Sequence, residues 1–393
     1  MALTFDEARA CVLREVGVSV GTETVPLAEA AGRVLAEAIP ADRDYPPFPR
    51  SARDGFAVRA ADVPGDLQVI GEVRAGEVFR GAVSAGEAVE IMTGAPVPNG
   101  ADAVVMVEYT ERNGERVRIG SSIKPGENFN ARGIEARGGD IVVSAGVRIG
   151  HAEVAMLATV GRTQAMVYRR PRVAIVATGD EIVEAGDQPA PHQIRNSNAK
   201  SLAVQVCHAG GAPEILPIAR DNYESTRNLV RQGLAADLLL LSGGVSAGKY
   251  DLVEKVLAEF GAEFFFDRVK IQPGQPLVFG KAQSKFFFGL PGNPASTMIT
   301  FETIARAAVE KIQGMREPAL PLLRARLTRP VRHKTGITRF LPARLSTDGS
   351  TVEPETSHGS GDVAALARCN AFLVADPDRE EWTAGDDIRV MMK

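Results

Sequence analysis

Near the start of the chain, Ala8, Val12, Leu13 and Val16 recur at helical spacing. They follow Thr4-Phe5-Asp6-Glu7, a string that fits a helix-opening capping box. A second helical pattern covers residues 27–38 and stops at Pro40. Tyr45-Pro46-Pro47-Phe48-Pro49 excludes helix, because its prolines fix φ and lack an amide donor, and it predicts a rigid linker into a new domain. From about Arg53 to Gly133, short alternating runs such as 67–73 and 101–107 sit between Gly and Pro turns, predicting a small β-rich domain. Residues 151–160 are helical again, so the β-rich block reads as an insertion into a helical one.

The stretch 171–312 alternates strands with helices. Residues 173–177 and 238–241 are wholly apolar, as expected at the centre of a parallel sheet, and 214–218, 277–279 and 286–289 are further strands. Residues 201–208, 223–234 and 252–260 predict helices, with another starting at Ala295. The fold class is therefore multidomain α/β, built on a doubly wound domain. After Pro318 alternation returns with no helix of length, predicting a small β-barrel or sandwich.

A length of 393 residues implies two to four domains. The net charge of −4, from 45 basic and 49 acidic residues, argues against general nucleic-acid binding. The first thirty residues read as an acidic amphipathic helix rather than a signal peptide, and no apolar run approaches the ~20 residues that span a bilayer. A cytoplasmic location is expected, with no membrane partner. Cys11, Cys207 and Cys369 are far apart, suggest neither a disulfide nor a metal cage, and are expected as small buried apolar residues. The five histidines show no ligand spacing, so no structural zinc site is expected.

Ligands of open α/β sheets bind beyond the carboxyl ends of the strands. Three loops in that position carry unusual residues: Thr178-Gly179-Asp180-Glu181, Ser242-Gly243-Gly244-Val245-Ser246-Ala247-Gly248 and Gly289-Leu290-Pro291-Gly292-Asn293-Pro294-Ala295-Ser296. Small residues admit backbone amides to a ligand and helix N-termini favour anions, so together they predict a phosphate or oxyanion pocket. None is followed by Gly-Lys-Ser/Thr or has dinucleotide spacing, which excludes a P-loop triphosphatase and a dehydrogenase. Asp180, Glu181, Asp221 and Asp251 gather at the same edge, where carboxylates beside phosphate loops recruit Mg²⁺. For Asp251, capping the helix that starts at Leu252 is an equal alternative. Asp54, just past the proline linker, would alone be a turn residue.

Several long strings, in order over essentially the whole chain, resemble the MoeA family, the bacterial counterparts of the gephyrin E domain. They are Arg50-Ser51-Ala52 with Asp54-Gly55-Phe56-Ala57-Val58, Met92-Thr93-Gly94-Ala95-Pro96-Val97-Pro98, Ala177-Thr178-Gly179-Asp180-Glu181, Ile194-Arg195-Asn196-Ser197-Asn198, the Ser242 loop with Asp251, and Gly289-Leu290-Pro291-Gly292-Asn293-Pro294. The resemblance implies four domains: an interrupted helical domain over 1–44 and 137–170, an inserted β domain over 45–136, a molybdopterin-binding α/β domain of MoaB/MogA type over 171–316, and a C-terminal β-barrel over 317–393. It implies an elongated homodimer whose cleft involves the partner's inserted domain. It also implies insertion of molybdate into adenylylated molybdopterin, with Mg²⁺-dependent hydrolysis releasing AMP. A MogA-type adenylyltransferase and molybdoenzyme acceptors are the implied partners.

By the same resemblance, Asp54, Thr93, Glu181, Asp221 and Asp251 are catalytic, and Asp180, Glu181 and Asp251 hold the metal. Thr178, Gly179, Asp180, Ser242, Gly243, Gly244, Ser246, Pro273, Gly274, Pro276, Gly292, Asn293, Pro294, Ser296 and Arg339 bind the substrate, the last two at molybdate. Against the family's Lys-Pro-Gly-Lys-Pro this chain has Gln272-Pro273-Gly274-Gln275-Pro276, with Arg268 and Lys270 as candidate compensating cations. Arg53 replaces the usual Met, Gly133-Ile134-Glu135 loses a carboxylate, and Asn128-Phe129-Asn130 loses a cation. These departures leave open a molybdopterin-binding scaffold or carrier. Tungstate, of nearly the same size and charge as molybdate, is a third option.

Overall fold

A computed structural model describes residues 2–244, 252–318 and 320–393. Contacts divide the chain into two compact units. One comprises Met1–Ala36, Ala145–Gly150 and Gln164–Lys393, and the other Glu37–Ser144 and His151–Thr163.

The first unit opens with helix α1 (Phe5–Glu15). Its capping box is formed: the Glu7 amide donates to Thr4 Oγ1 at 3.2 Å, and the Thr4 amide donates to Glu7 Oε2 at 2.8 Å. The helix buries Phe5, Ala8, Cys11 and Val12, and the Phe5 ring meets Phe340 edge-on at 5.3 Å. Strand β1 (Thr22–Pro26) follows, then α2, which covers only Leu27–Ala30. This corrects the predicted helix over 27–38. Gly32 takes φ 78°, which ends the helix, and Val34 and Leu35 make β-bridges instead.

In the second unit the strands β2 (Gly55–Val58), β3 (Gly65–Val73), β4 (Glu87–Ile91), β5 (Ala103–Met106), β6 (Thr110–Asn113) and β7 (Arg116–Ile119) form one sheet. Its order is β5-β2-β4-β3-β7-β6, with only the β3–β4 pair parallel. Alternate residues feed two apolar clusters: Phe56 and Val58 enter one, Ala57 the other. Helix α3 (His151–Thr159) also belongs to this unit.

Returning to the first unit, β8 (Gln164–Tyr168) pairs antiparallel with β1. The α/β domain then contains β9 (Arg172–Ala177), α4 (Ser197–His208), β10 (Ala212–Ile215), α5 (Tyr223–Gly233), β11 (Leu238–Ser242), α6 (Leu252–Glu259), β12 (Glu263–Phe266), β13 (Val278–Ala282) and β14 (Lys285–Leu290). Its sheet runs β10-β9-β11-β14-β13-β12, parallel from β10 to β14 and antiparallel beyond. The strand expected at 214–218 lies two residues earlier, and β12 had no counterpart in the sequence reading. Val173, Ile175, Leu238 and Leu240 pack with Leu202 and Val206 of α4 on one face. Ala174, Val176, Leu239 and Leu241 pack with α5 and α6 on the other. Strands buried on both faces are why these runs are wholly apolar.

The helix predicted from Ala295 is α7 (Pro294–Thr300), a π-helical turn (Phe301–Ala305) and α8 (Arg306–Ile312) in succession. Strands β15 (Leu322–Leu327), β16 (Thr338–Leu345), β17 (Thr351–Pro354), β18 (Ala371–Ala375) and β19 (Asp387–Met392) pair in the ring β16-β17-β15-β19-β18-β16, a closed barrel. The short segment Ile271–Gln272 pairs in parallel with Thr338 and Arg339, joining the α/β domain to this barrel. Among the described residues no helix is long and apolar enough to cross a membrane. Cys11 and Cys369 are buried as expected, and burial pushes the Cys11 thiol up. Cys207 is exposed, because it sits on the outer face of α4, a correction to its expected burial.

Candidate functional site

Strands β9, β11 and β14 end in register. Ala177 pairs with Ser242, which pairs with Leu290. The three predicted loops therefore leave one sheet edge together, and they wall a cavity of about 470 Å³. Thr178, Gly179 and Glu181 come from the first loop, Ser242, Gly243 and Gly244 from the second, and Gly292, Asn293 and Pro294 from the third. The loops touch. The Thr178 amide donates to the Ser242 carbonyl at 3.0 Å, and a Cβ on Gly243 (φ 91°) would lie 2.8 Å from the Thr178 carbonyl oxygen. Only glycine permits that approach. Ser246 and Asp251 lie outside the described residues.

The start of α4 forms another part of the wall. The sequence reading began this helix at Ser201; it begins at Ser197, capped by Asn196. Asn196 Oδ1 accepts from the Ala199 amide at 3.1 Å. Asn198 Nδ2 donates to Ser242 Oγ at 2.9 Å, the Gly292 carbonyl at 2.8 Å and Thr297 Oγ1 at 3.2 Å. One buried amide thus ties α4 to the loops after β11 and β14. Three buried polar atoms of the wall have no hydrogen-bond partner among the described residues: Thr178 Oγ1, Asn196 Nδ2 and Asn198 Oδ1. Buried polar atoms are rarely left so.

Two of the predicted carboxylates interlock. The Asp221 amide donates to Asp180 Oδ1 at 3.1 Å, and the Asp180 amide to Asp221 Oδ2 at 3.4 Å. Asp221 and Glu181 line the cavity, and Asp180, exposed, does not. Among the described residues no three metal-ligating side chains converge. Magnesium commonly takes one or two carboxylates and completes its shell with water and phosphate oxygens, so these hard oxygen donors fit that ion.

A second cavity of about 730 Å³ adjoins the first, and Pro276, Pro291 and Asn293 belong to both walls. It is lined by Gln272, Pro273, Gly274, Gln275, Ser296 and Arg339. Ser296 is buried and Arg339 half-buried, brought to Gln272 by the pairing of 271–272 with β16. Among the described lining residues Arg339 is the basic one; Glu355 is the acidic one, and Arg368 pairs with it at 2.8 Å. Arg268 and Lys270 are exposed and do not line this wall, so their proposed compensation for the two glutamines is corrected. The serines of the loop at Ser357 and Ser360 complete the wall and carried no signal in the sequence.

In the second unit, Asp54 and Thr93 meet although 39 residues separate them. Asp54 Oδ1 accepts from the Thr93 amide at 2.6 Å and from Thr93 Oγ1 at 2.7 Å. The backbone bond first, and the hydroxyl second, hold the Asp54 carboxyl below its usual range.

The α/β fold with loops gathered at its strand ends defines a ligand-binding domain joined to a barrel, and comparison with known proteins narrows the class. Residues 3–161 match the model for the MoeA N-terminal region (domain I and II). Residues 174–311 match a probable molybdopterin binding domain, and 324–392 the MoeA C-terminal region (domain IV). A molybdopterin molybdenumtransferase of Staphylococcus epidermidis is 34% identical over 385 residues, 95% of this chain and 92% of the relative. Crystal structures of the molybdopterin biosynthesis MoeA protein of Pyrococcus horikoshii superpose with TM-scores of 0.74 at 32% identity and 0.83 at 27%. They cover 100% of this chain and 99% and 100% of theirs. The chain belongs to the MoeA family of enzymes of molybdenum-cofactor biosynthesis.

Proposed function

We propose that the protein is a molybdenum insertase that transfers molybdate into adenylylated molybdopterin, with Mg²⁺-dependent hydrolysis of the phosphoanhydride and release of AMP. The observation that carries this reading is the pair of adjoining cavities. One has glycine loops, orphan polar atoms and carboxylates; the other has Ser296 and Arg339; and they share Pro276, Pro291 and Asn293. A large organic phosphate in the first cavity would bring its reacting end to the second.

In this reading the loop amides near Gly179, Gly243 and Gly292 hold the pyrophosphate. Arg339 and the Ser296 hydroxyl hold molybdate, the guanidinium offering both charge and a planar set of donors. Asp180, Glu181, Asp221 and Asp251 are assigned to Mg²⁺ and the pyrophosphate. That ion would supply charge neutralisation at the phosphoanhydride. Asp54 and Thr93 are assigned to catalysis, Asp54 as a carboxylate kept ionised by its two donors. The reading also includes a cytoplasmic homodimer, the four-domain division of the family, and exchange with a MogA-type adenylyltransferase and molybdoenzyme acceptors.

The test mixes the protein with adenylylated molybdopterin, molybdate and Mg²⁺ and follows AMP and molybdenum cofactor. Stoichiometric appearance of both is expected, and Asp221→Asn is expected to lower both together. Tight substrate binding with neither product would overturn the insertase in favour of a carrier. Replacing molybdate by tungstate in the same assay reads the metal preference.

A further inference from the structure

The loop that carries Glu181 is tied along its length to the segment 219–221. The Gly179 amide donates to the Ala219 carbonyl at 3.0 Å, and Asp180 and Asp221 exchange the bonds described above. Arg220 completes the tie. Its Nη1 donates to the carbonyls of Asp180 at 3.3 Å and Ile182 at 3.2 Å, the residues on either side of Glu181. The Glu181 carbonyl between them accepts from the Ile194 amide at 2.9 Å. Asp180, Glu181 and Asp221 all stand on these two segments, yet among the described residues the Arg220 guanidinium forms an ion pair with none of them. It is spent on backbone carbonyls.

The Glu181 side chain has its own seat. Gly179 takes φ 147°, a conformation that residues with a Cβ rarely adopt. A Cβ there would lie 2.5 Å from Glu181 Oε2 and 2.8 Å from Oε1 and Cδ, so the carboxylate occupies the space that a side chain at 179 would fill. Both residues line the first cavity. The backbone of Glu181 is thus held by an arginine, and its carboxylate rests where a side chain is absent.

We propose that Arg220 and Gly179 are positioning residues that act through Glu181, holding its carboxylate where a divalent cation is bound. This inference rests on the insertase reading for the part of Glu181 in binding Mg²⁺. Positioning and charge predict opposite signs. A guanidinium near a cation repels it, so removing Arg220 would tighten metal binding if Coulomb interaction were its whole effect. Removing a group that orients a metal-binding carboxylate weakens binding, by roughly ten- to a hundredfold.

The experiment titrates the full-length protein with Mn²⁺ alone, which takes the same oxygen ligands as Mg²⁺, and reads binding by electron paramagnetic resonance. Glu181→Gln, Arg220→Gln, Gly179→Ala and the double variant Arg220→Gln/Glu181→Gln are compared with the wild type. Each single variant is expected to raise the Mn²⁺ dissociation constant about tenfold. The double variant should bind no more weakly than Glu181→Gln, because Arg220 then has no carboxylate left to position. Arg220 is exposed, so Arg220→Gln is expected to keep the wild-type unfolding midpoint, and it carries the test even if strain at 179 unfolds the alanine variant. In AMP release, Arg220→Gln should raise half-saturating Mg²⁺ by the same factor and leave the KM for adenylylated molybdopterin unchanged. Tighter or unchanged Mn²⁺ binding in Arg220→Gln, additive losses in the double variant, wild-type affinity in Glu181→Gln, or no Mn²⁺ binding by the wild type would overturn the proposal. Cofactor formation by the wild type is measured separately. Turnover with Mn²⁺ titrations that do not respond in this pattern removes this inference alone, whereas responsive titrations without turnover remove the insertase reading alone.

Discussion

Asp54 owes its low carboxyl pKa to two donors on one residue, and they can be separated. Thr93→Val removes the hydroxyl and keeps the amide. The Asp54 carboxyl, followed by NMR titration, is therefore expected to rise part of the way toward its usual value. The sign of the stability effect follows. Because the folded carboxyl titrates below the unfolded one, its contribution is present above the unfolded pKa and fades as pH falls through the folded pKa. The wild type should lose stability on acidification in that window more than Thr93→Val does, as measured by urea unfolding across pH. Arg339 lines the second cavity with Gln272 and Gln275 as neighbours, and in the insertase reading it holds molybdate. Gln275→Lys is expected to lower half-saturating molybdate roughly tenfold, about 1–2 kcal/mol after desolvation. Equal molybdate curves for the two proteins would count against an anion site at this wall.

Helix α4 illustrates how elements here divide their labour. Its inner face buries Ala199, Leu202 and Val206, its outer face exposes Val204 and Cys207, and its first turn supplies the cavity wall. Leu202→Ala should cost about 2–5 kcal/mol by creating a cavity, whereas Val204→Ala should change stability by no more than about 0.5 kcal/mol. Denaturant unfolding of the two variants checks the assignment of faces. The apolar period of this helix was legible from Ser201 onward, but its first turn was not. Asn196-Ser197-Asn198 has turn composition, and Ser197 and Asn198 are helical because the Asn196 cap and the Asn198 bonds hold them so. The strands β9 and β11 were plain because burial on both faces demands unbroken apolar runs. Strand β12, with Phe264 exposed at the sheet edge, lacks that constraint and was missed.

At the scale of the whole molecule, the family resemblance leads to the expectation of a homodimer at micromolar concentration. Sedimentation velocity showing one species of twice the 41.8 kDa chain mass would support it, and a monomer across that range would sink it. The alternation of elements, the capping box of α1, the β-rich second sheet and the three glycine loops could all be read from the chain. Each depends on residues within a few positions of one another or on burial that leaves a periodic trace. Which side chains finish the site depended on tertiary structure. Asn198 finds Ser242 and Gly292 at 44 and 94 residues' remove, and Asp54 finds Thr93 at 39. Arg268 and Lys270, close in sequence to the two glutamines, are exposed and do not line the cavity, while Arg339 reaches Gln272 through strand pairing. Local composition records the propensity of a segment and the face it buries. It does not record which distant polar atoms will share a cavity, because that is set by strand register and by the hydrogen bonds that the packed core forces to be satisfied or leaves open.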